Sequence, residues 1–292
     1  MRPDAFAAVM ATGIVSIAAQ DHGFDRISEC LAVVAVVLFA VLVIAAVARL
    51  RPDLGDVDAP IQMLTFVAAC AVVGTRLHWW LLDVCALLGW LLLMPLVVRS
   101  MWRRRWTGLR DRARGGWELV SVATSGLAIV AADRGFVAEA IGLLALAICL
   151  YVAVTSLVLW RAAHEPAAPA LYQPDVWILM GGAAIATLAG DHIHHAGVED
   201  IWPVTVVTWI IAGAWIPVLV AASVRLRDGN WWAAVFPLGM YSSAAYATAV
   251  ETGWPSLTTI SLVFMSIALA AWLVVACREC AFLYARRGVS RT

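Results

Sequence analysis

The chain has 292 residues, of which 63% are hydrophobic and only 14% charged, and its formal net charge is zero. Soluble domains average about a quarter charged residues, so this composition excludes an ordinary soluble enzyme. With a mean hydropathy of +0.87, the chain is predicted to partner the lipid bilayer and not nucleic acid.

Apolar stretches follow one another along the whole chain, separated by short polar links. About 20 apolar residues are needed to cross a bilayer core of roughly 30 Å. We therefore predict an all-α polytopic membrane protein with ten transmembrane helices in one domain, 1–292. The ten stretches are 3–20, 30–48, 61–75, 84–101, 117–132, 136–160, 176–190, 201–224, 231–249 and 256–277.

The arginines indicate the orientation of these spans, since cytoplasmic links carry an excess of basic residues. They lie at the two termini and in the links after even-numbered spans, with the exceptions of Arg26, Arg76 and Arg134. Both termini are therefore predicted to be cytoplasmic. All 20 basic residues are arginine, which together with the Ala and Val content favours a bacterial inner-membrane protein.

One short stretch occurs twice. "PDAF" at 3–6 and "PDVW" at 174–177 are 171 residues apart, and the same offset pairs Ser16 with Thr187. Odd-numbered spans begin at intervals of 56 to 58 residues, near Pro3, Pro60, Gly116, Pro174 and Asn230. The chain is therefore predicted to contain five helical-hairpin repeats, at about 3–59, 60–115, 116–173, 174–229 and 230–284.

Each hairpin crosses the membrane twice, so the five repeats are parallel and related by rotation about the membrane normal. The odd stretches contain seven glycines and many hydroxyls, whereas the even ones contain three glycines and mostly bulky aliphatic residues. Small residues suit close packing or a lined cavity. We expect an inner ring of five odd helices that forms a pore and an outer ring of five even helices.

Aligning the repeats predicts two layers of pore-lining residues. The first is small throughout, and the second contains one large aromatic residue, which is followed directly by Pro237, a predicted kink. The first layer is Gly13, Cys70, Gly126, Ala184 and Gly239, and the second is Met10, Val67, Ala123, Gly181 and Phe236. Phe236 is the candidate pore gate. In the alternative interpretation its ring packs between helices.

The predicted inner helices have no ionisable side chain at mid-membrane, which argues against a proton pump. A neutral lumen lined by hydroxyls can favour anions without binding them tightly. Asp4, Asp175 and Asn230 stand where inner helices begin, and capping of backbone amides is preferred there to substrate contact.

Acidic and histidine residues form one cluster, in "DHIHH" at 191–195. Asp191, His192, His194 and His195 are predicted to lie on an external link, where a pH-sensitive loop is favoured over a metal site. No cofactor and no metal site are predicted.

Two stretches, "RPDAFAAVMATGIVSIAAQ" and "WWAAVFPLGMYSSA", resemble the tellurite-resistance/dicarboxylate transporter family, the voltage-dependent anion channel family that includes the plant slow anion channels. The resemblance implies a homotrimer in which each protomer encloses a pore of five kinked helices. It also implies that a phenylalanine in the ninth span, here Phe236, occludes that pore. Chloride, nitrate, sulfite or dicarboxylates such as malate are the implied substrates. Unlike that pattern, only Pro237 lies inside an inner helix here.

Three hypotheses follow. The first is an anion channel or channel-like transporter of small inorganic anions or dicarboxylates, gated by Phe236. The second is a proton-coupled secondary carrier of dicarboxylate or sulfite. The third is a membrane enzyme or metal-binding protein that uses the 191–195 cluster, which offers too little chemistry for catalysis, so no enzyme is predicted. Tellurite resistance, where present, is treated as incidental.

Overall fold

The computed structural model describes residues 3–49, 58–226 and 229–289. Within these ranges all regular secondary structure is helical and no strand occurs. The all-α prediction is therefore confirmed.

Eleven α-helices and four short 3₁₀ turns make up the described chain. The helices are α1 Ala7–Asp21, α2 Asp25–Arg49, α3 Asp58–Leu77, α4 Trp80–Arg103, α5 Arg105–Arg110, α6 Leu119–Asp133, α7 Val137–His164, α8 Ile178–His195, α9 Trp202–Ser223, α10 Trp232–Thr252 and α11 Pro255–Val289. The 3₁₀ turns are Gly115–Glu118, Pro169–Tyr172, Pro174–Trp177 and Glu199–Ile201.

Eight helical segments of the described chain are long and apolar enough to cross a membrane. They contain α2, α3, α4, α6, α7, α8, α9 and α11, and α1 is a shorter apolar helix of 15 residues. The chain is therefore a membrane protein with multiple apolar helices. The ten-span count stays a prediction.

Helices α1, α3, α6, α8 and α10 contact one another in a closed order, α1–α3–α6–α8–α10–α1. Each also packs against the helix that follows it: α2, α4, α7, α9 and α11 respectively. The segment with α6 is 94% buried and that with α8 is 89% buried, against 17–28% for the helices outside them. A helix that is apolar yet exposed on most of its surface suits contact with lipid, so the protein interior lies among the five central helices.

Paired hydroxyl side chains join central helices to their outer partners. Ser16 Oγ of α1 donates to the Ser28 carbonyl of α2 at 2.7 Å, and Ser28 Oγ donates back to the Ser16 carbonyl at 2.7 Å. Ser242 of α10 and Ser261 of α11 repeat this reciprocal pair at 2.8 and 2.7 Å. These two hydroxyl pairs satisfy polar groups in an apolar setting and tie each hairpin together.

A basic or imidazole side chain from the neighbouring hairpin completes each hydroxyl pair. Arg76 of α3 donates to Ser28 Oγ at 2.9 Å and to Ser16 Oγ at 3.2 Å. His22, directly after α1, places Nε2 2.8 Å from Ser261 Oγ. Because the Ser261 hydroxyl already donates to Ser242, Nε2 is the donor in that contact. The hairpins are thus linked side to side as well as internally.

Candidate functional site

Two cavities lie among the central helices, and each is lined by all five of them. The larger, of about 280 Å³, opens where these helices begin, and its wall includes Met10, Thr65, Leu119, Ile178 and Phe236. That set contains one residue from each of the five central helices. The cavity therefore occupies the axis around which the helices are arranged.

The smaller cavity, of about 60 Å³, lies nearer the ends of the same helices. Its wall includes Ile14, Val72, Gly126, Ile185 and Met240. No residue lines both cavities. A barrier thus separates two cavities on one axis.

The barrier is about one helical turn thick at α1 and α10 and about two turns thick at α3, α6 and α8. On α1 the lining passes from Met10 to Ile14, and on α10 from Phe236 to Met240, a difference of one turn in each case. Met10 and Phe236 are both only 2% exposed. They face the larger cavity and mark where it closes.

The Phe236 ring packs over a glycine of the neighbouring helix. A Cβ atom added at Gly181 of α8 would lie 3.5 Å from Phe236 Cε1 and 3.1 Å from Pro237 Cγ. Any larger residue at 181 would therefore compete with the ring for its space. Pro237 lies inside α10, which continues through it as one helix.

Other predicted lining residues fall into two groups. Gly126 lines the smaller cavity. Gly13 and Gly239 face neighbouring helices instead, since added Cβ atoms would lie 2.7 Å from Val72 Cγ1 and 2.9 Å from Ile14 Cγ2. These two glycines allow adjacent central helices to approach closely.

Four further residues that were predicted to line the pore are absent from both cavity walls: Val67, Cys70, Ala123 and Ala184. Val67 Cγ2 is 3.1 Å from the Cβ position of Gly89, so Val67 faces α4. Cys70, Ala123 and Ala184 are fully buried but are not part of either lining set. Their role in a pore stays a prediction.

Charges of both signs surround the larger cavity. Arg114 Nε lies 3.5 Å from Asp175 and 3.8 Å from Asp58. Asn230 donates to Asp4 Oδ2 at 2.8 Å. The cavity wall combines these groups with uncharged amides and is not uniformly positive.

The capping prediction holds for only one of its three residues. Asn230 Oδ1 accepts from the Trp232 backbone N–H at 3.2 Å, as an N-terminal cap does. Asp175 instead accepts from the backbone N–H of Gly116 on the neighbouring hairpin, and the Asp4 side chain accepts from Asn230. Both carboxylates therefore link hairpins to one another.

The acidic and histidine cluster at 191–195 lies in the last turn of α8, so its prediction as a link was wrong. The helix continues past Gly190 and brings His192 into the wall of the smaller cavity. His192 Nδ1 donates to Asp133 Oδ1 of α6 at 2.5 Å, whereas His195 Nδ1 bonds the Asp191 carbonyl at 2.9 Å. In the described ranges no group of three or more His, Cys, Asp or Glu is placed to hold a metal ion.

Glu118 is a buried carboxyl group that the sequence interpretation passed over. It is 0% exposed, it accepts from Thr155 Oγ1 at 2.6 Å, and its Oε2 lies 3.5 Å from the Cβ position of Gly182. An acidic residue directly after Trp117, inside an apolar stretch, was the available signal. Ionisable residues in membrane-spanning helices are costly and are usually functional.

Two cavities on the axis of five packed membrane helices are an arrangement that channels and transporters use. The chain matches the model of the voltage-dependent anion channel family over residues 1–280 and belongs to that family. Members of this family are channels and transporters of anions, which identifies the general activity as anion transport.

The chain is also similar to an uncharacterised membrane protein of Mycobacterium tuberculosis. The two are 38% identical over an alignment 142 residues long, which covers 43% of this chain and 72% of that protein, and the match occurs in two strains.

Proposed function

We propose that this protein is an anion channel or channel-like transporter whose pore runs between α1, α3, α6, α8 and α10 and is occluded by Phe236. The observation that carries the proposal is the pair of cavities, each lined by all five helices, with Phe236 and Met10 at the boundary. Family membership supplies the anion.

The same proposal includes the ten-span arrangement of five parallel hairpins. The closed contact order of the central helices supports it, as does the packing of each against the helix that follows. The reciprocal hydroxyl pairs at Ser16 and Ser242 occupy equivalent positions in the first and fifth hairpins. This arrangement puts both termini on one side, which the arginine distribution assigns to the cytoplasm of a bacterial inner-membrane protein.

Occlusion follows from the chemistry of the barrier. An ion that crosses it must leave water and pass a phenyl ring and a thioether, neither of which can replace its hydration shell. Hydrophobic constrictions of this kind block ions by excluding water, even where the side chains do not fill the passage completely. Opening means moving the Phe236 ring from its place over Gly181.

Anion flux into proteoliposomes tests the proposal, with the wild type compared with Phe236→Ala for chloride, nitrate and malate. Each ~1.4 kcal/mol taken off the barrier multiplies a rate about tenfold, so we expect an increase of about tenfold or more. Phe6→Ala is the matched control, since Phe6 is also buried but packs on Phe39 and Phe66, outside both cavities. Equal flux through Phe236→Ala and Phe6→Ala would contradict the proposed gate.

A proton-coupled carrier of dicarboxylate or sulfite is the second candidate. Two observations favour it: His192 lies in the wall of the smaller cavity, and Glu118 is a fully buried carboxyl. A carrier requires uptake that saturates at low substrate concentration and depends on an imposed proton gradient. A channel requires neither.

The resemblance also implies that the protein assembles as a homotrimer. Native mass spectrometry of the purified protein in detergent measures this directly. If the protein is a monomer and still conducts anions, the proposed trimer is wrong while the proposed pore, which lies within one chain, stands.

A further inference from the structure

The smaller cavity offers an anion almost nothing to bind. Most of its wall is aliphatic, as at Ile14, Val72 and Ile185. A charge that moves into such a space loses hydration energy, and a partner of opposite charge is needed to offset that loss. His192 is the one ionisable side chain in that wall among the residues the structure describes.

His192 bridges two central helices at the end of this cavity. Its Nδ1 lies 2.5 Å from Asp133 Oδ1, and both side chains are 28% exposed, so water reaches the pair. The contact joins α8 to α6 where the cavity approaches the ends of both helices. Protons can therefore exchange with this pair from solution.

Further carboxylates surround the imidazole. Asp21 of α1 acts on it electrostatically, and so does Asp191 of its own helix. From α10, the buried Ser243 lies beside the Asp21 carboxyl group. Three carboxyl groups thus surround a single imidazole.

Other charged groups at this end contact the carboxylates of the cluster or one another, and His195 Nδ1 lies 3.5 Å from Asp191 Oδ1. Arg134 bonds Asp83 through Nε at 2.8 Å, and Arg76 of α3 bonds Ser16 and Ser28. Glu251 of α10 acts electrostatically on Asp191, His194 and His195. None of these cations replaces His192 as a positive group in the cavity wall.

Protonation changes the charge of the one ionisable side chain in the wall of the smaller cavity, among the residues the structure describes. With a neutral imidazole and ionised carboxylates, the group is negative and repels anions, and the aliphatic wall adds its desolvation cost. Proton uptake makes His192 a cation, and its positive charge offsets one of the three carboxylate charges around it. A small anion then meets a positive group where none stood before.

We infer that His192, with Asp21, Asp133 and Asp191, forms a proton-binding site that must be loaded before a small anion occupies the smaller cavity. The inference rests on the proposed function, in that the cavity is part of the anion path. The proton is thus a second ligand of the anion path, and these four residues bind it.

Two measurements test this site, and the first is chloride flux against pH in Phe236→Ala proteoliposomes, where the ring no longer limits conduction. Histidine titrates between about pH 5 and 8, so flux is expected to rise on the order of tenfold from pH 7.5 to 5.5. His192→Gln can still donate to Asp133 but cannot take up a proton, so it is expected to abolish the rise. His78→Asn, at an exposed histidine with positive φ that Asn tolerates, is expected to keep it.

The second measurement is proton uptake when chloride is added to the weakly buffered protein in detergent. Linkage is reciprocal: if protons favour anion binding, the anion favours proton binding. The expected uptake approaches about one proton per chain at pH values near the site's titration, and His192→Gln is expected to lose it. Retained folding of each variant is checked by size exclusion and thermal unfolding.

The outcomes separate the two proposals. Flux through Phe236→Ala that is independent of pH, without linked proton uptake, overturns the proton site and leaves the pore standing. If chloride-linked proton uptake is lost in His192→Gln but Phe236→Ala shows no anion flux, the proton site is supported and the Phe236 gate is ruled out. An unchanged pH response in His192→Gln assigns the titration to other groups and overturns the inference.

Discussion

The ring of Phe236 packs directly over Gly181, with Cε1 3.5 Å from where a Cβ on that glycine would lie. The two residues belong to neighbouring central helices, α10 and α8, and lie at the height where the larger cavity closes. Side-chain volume at 181 and ring volume at 236 therefore occupy adjacent parts of the same barrier.

This adjacency predicts that one residue can replace the other. Phe236→Ala removes the ring and raises anion flux, and adding Gly181→Leu refills the space from the facing helix. We expect the double variant to return most of the way to wild-type flux in proteoliposomes. Gly142→Leu is the control, because no atom lies within 4 Å of a Cβ built at Gly142 of the outer helix α7. A double variant that conducts like Phe236→Ala alone would show that the two residues share no barrier.

Close approach of α1 and α3 predicts a stability effect at Gly13. A Cβ at this position would lie 2.7 Å from Val72 Cγ1, so Gly13→Ala forces the helices or the valine to shift. Overpacking of this kind costs about 1–3 kcal/mol, measured as a lowered midpoint of thermal unfolding in detergent. Val72→Ala in the same chain is expected to recover part of the loss. Gly142→Ala, with no neighbour to meet, is expected to be neutral or slightly stabilising.

Some features of the site followed from sequence because they depend on composition and spacing. Phe236 stood out as the one aromatic in its layer of the repeat, and its buried place at the boundary of the larger cavity is consistent with that interpretation. Ser16, Thr187 and Ser242 align in the repeat, and each hydrogen-bonds a hydroxyl residue of its outer helix. A central helix that packs closely against its outer helix needs a small or hydroxyl side chain at this repeat position, regardless of which residues surround it.

Other features depended on rotation about a helix axis, which spacing alone does not specify. A shift of one residue turns a side chain by about 100°, so Val67 was predicted at the lumen but faces α4. His192 was missed as a lining residue because α8 runs a turn beyond Gly190. Glu118 was overlooked because its burial depends on Thr155 and Tyr151 of another helix.

The buried carboxyl of Glu118 predicts a dependence on its single hydroxyl donor. Thr155→Val keeps the shape of the side chain but removes the hydrogen bond to Glu118 Oε1. Leaving a buried polar group without a partner costs about 1–3 kcal/mol, so the variant is expected to unfold at lower temperature. Glu118→Met in the Thr155→Val chain is expected to lose less, since replacing both partners of a hydrogen bond by apolar groups leaves no buried polar group unpaired. Wild-type stability in Thr155→Val would show that this bond contributes nothing.

His22 predicts a pH dependence of stability. Burial lowers the pKa of His22, because the charged imidazole is disfavoured between α1 and the Ser261 hydroxyl. The unfolded chain then binds more protons than the folded one as pH falls below about 6.5, the ordinary histidine value. Stability from this group is thus fully present above about pH 6.5 and declines on acidification towards the lowered pKa. His22→Gln keeps a donor for Ser261 without titrating, so the difference in unfolding temperature between wild type and variant should change between pH 7 and 5. A difference that stays constant over that range would show that His22 does not titrate with a lowered pKa.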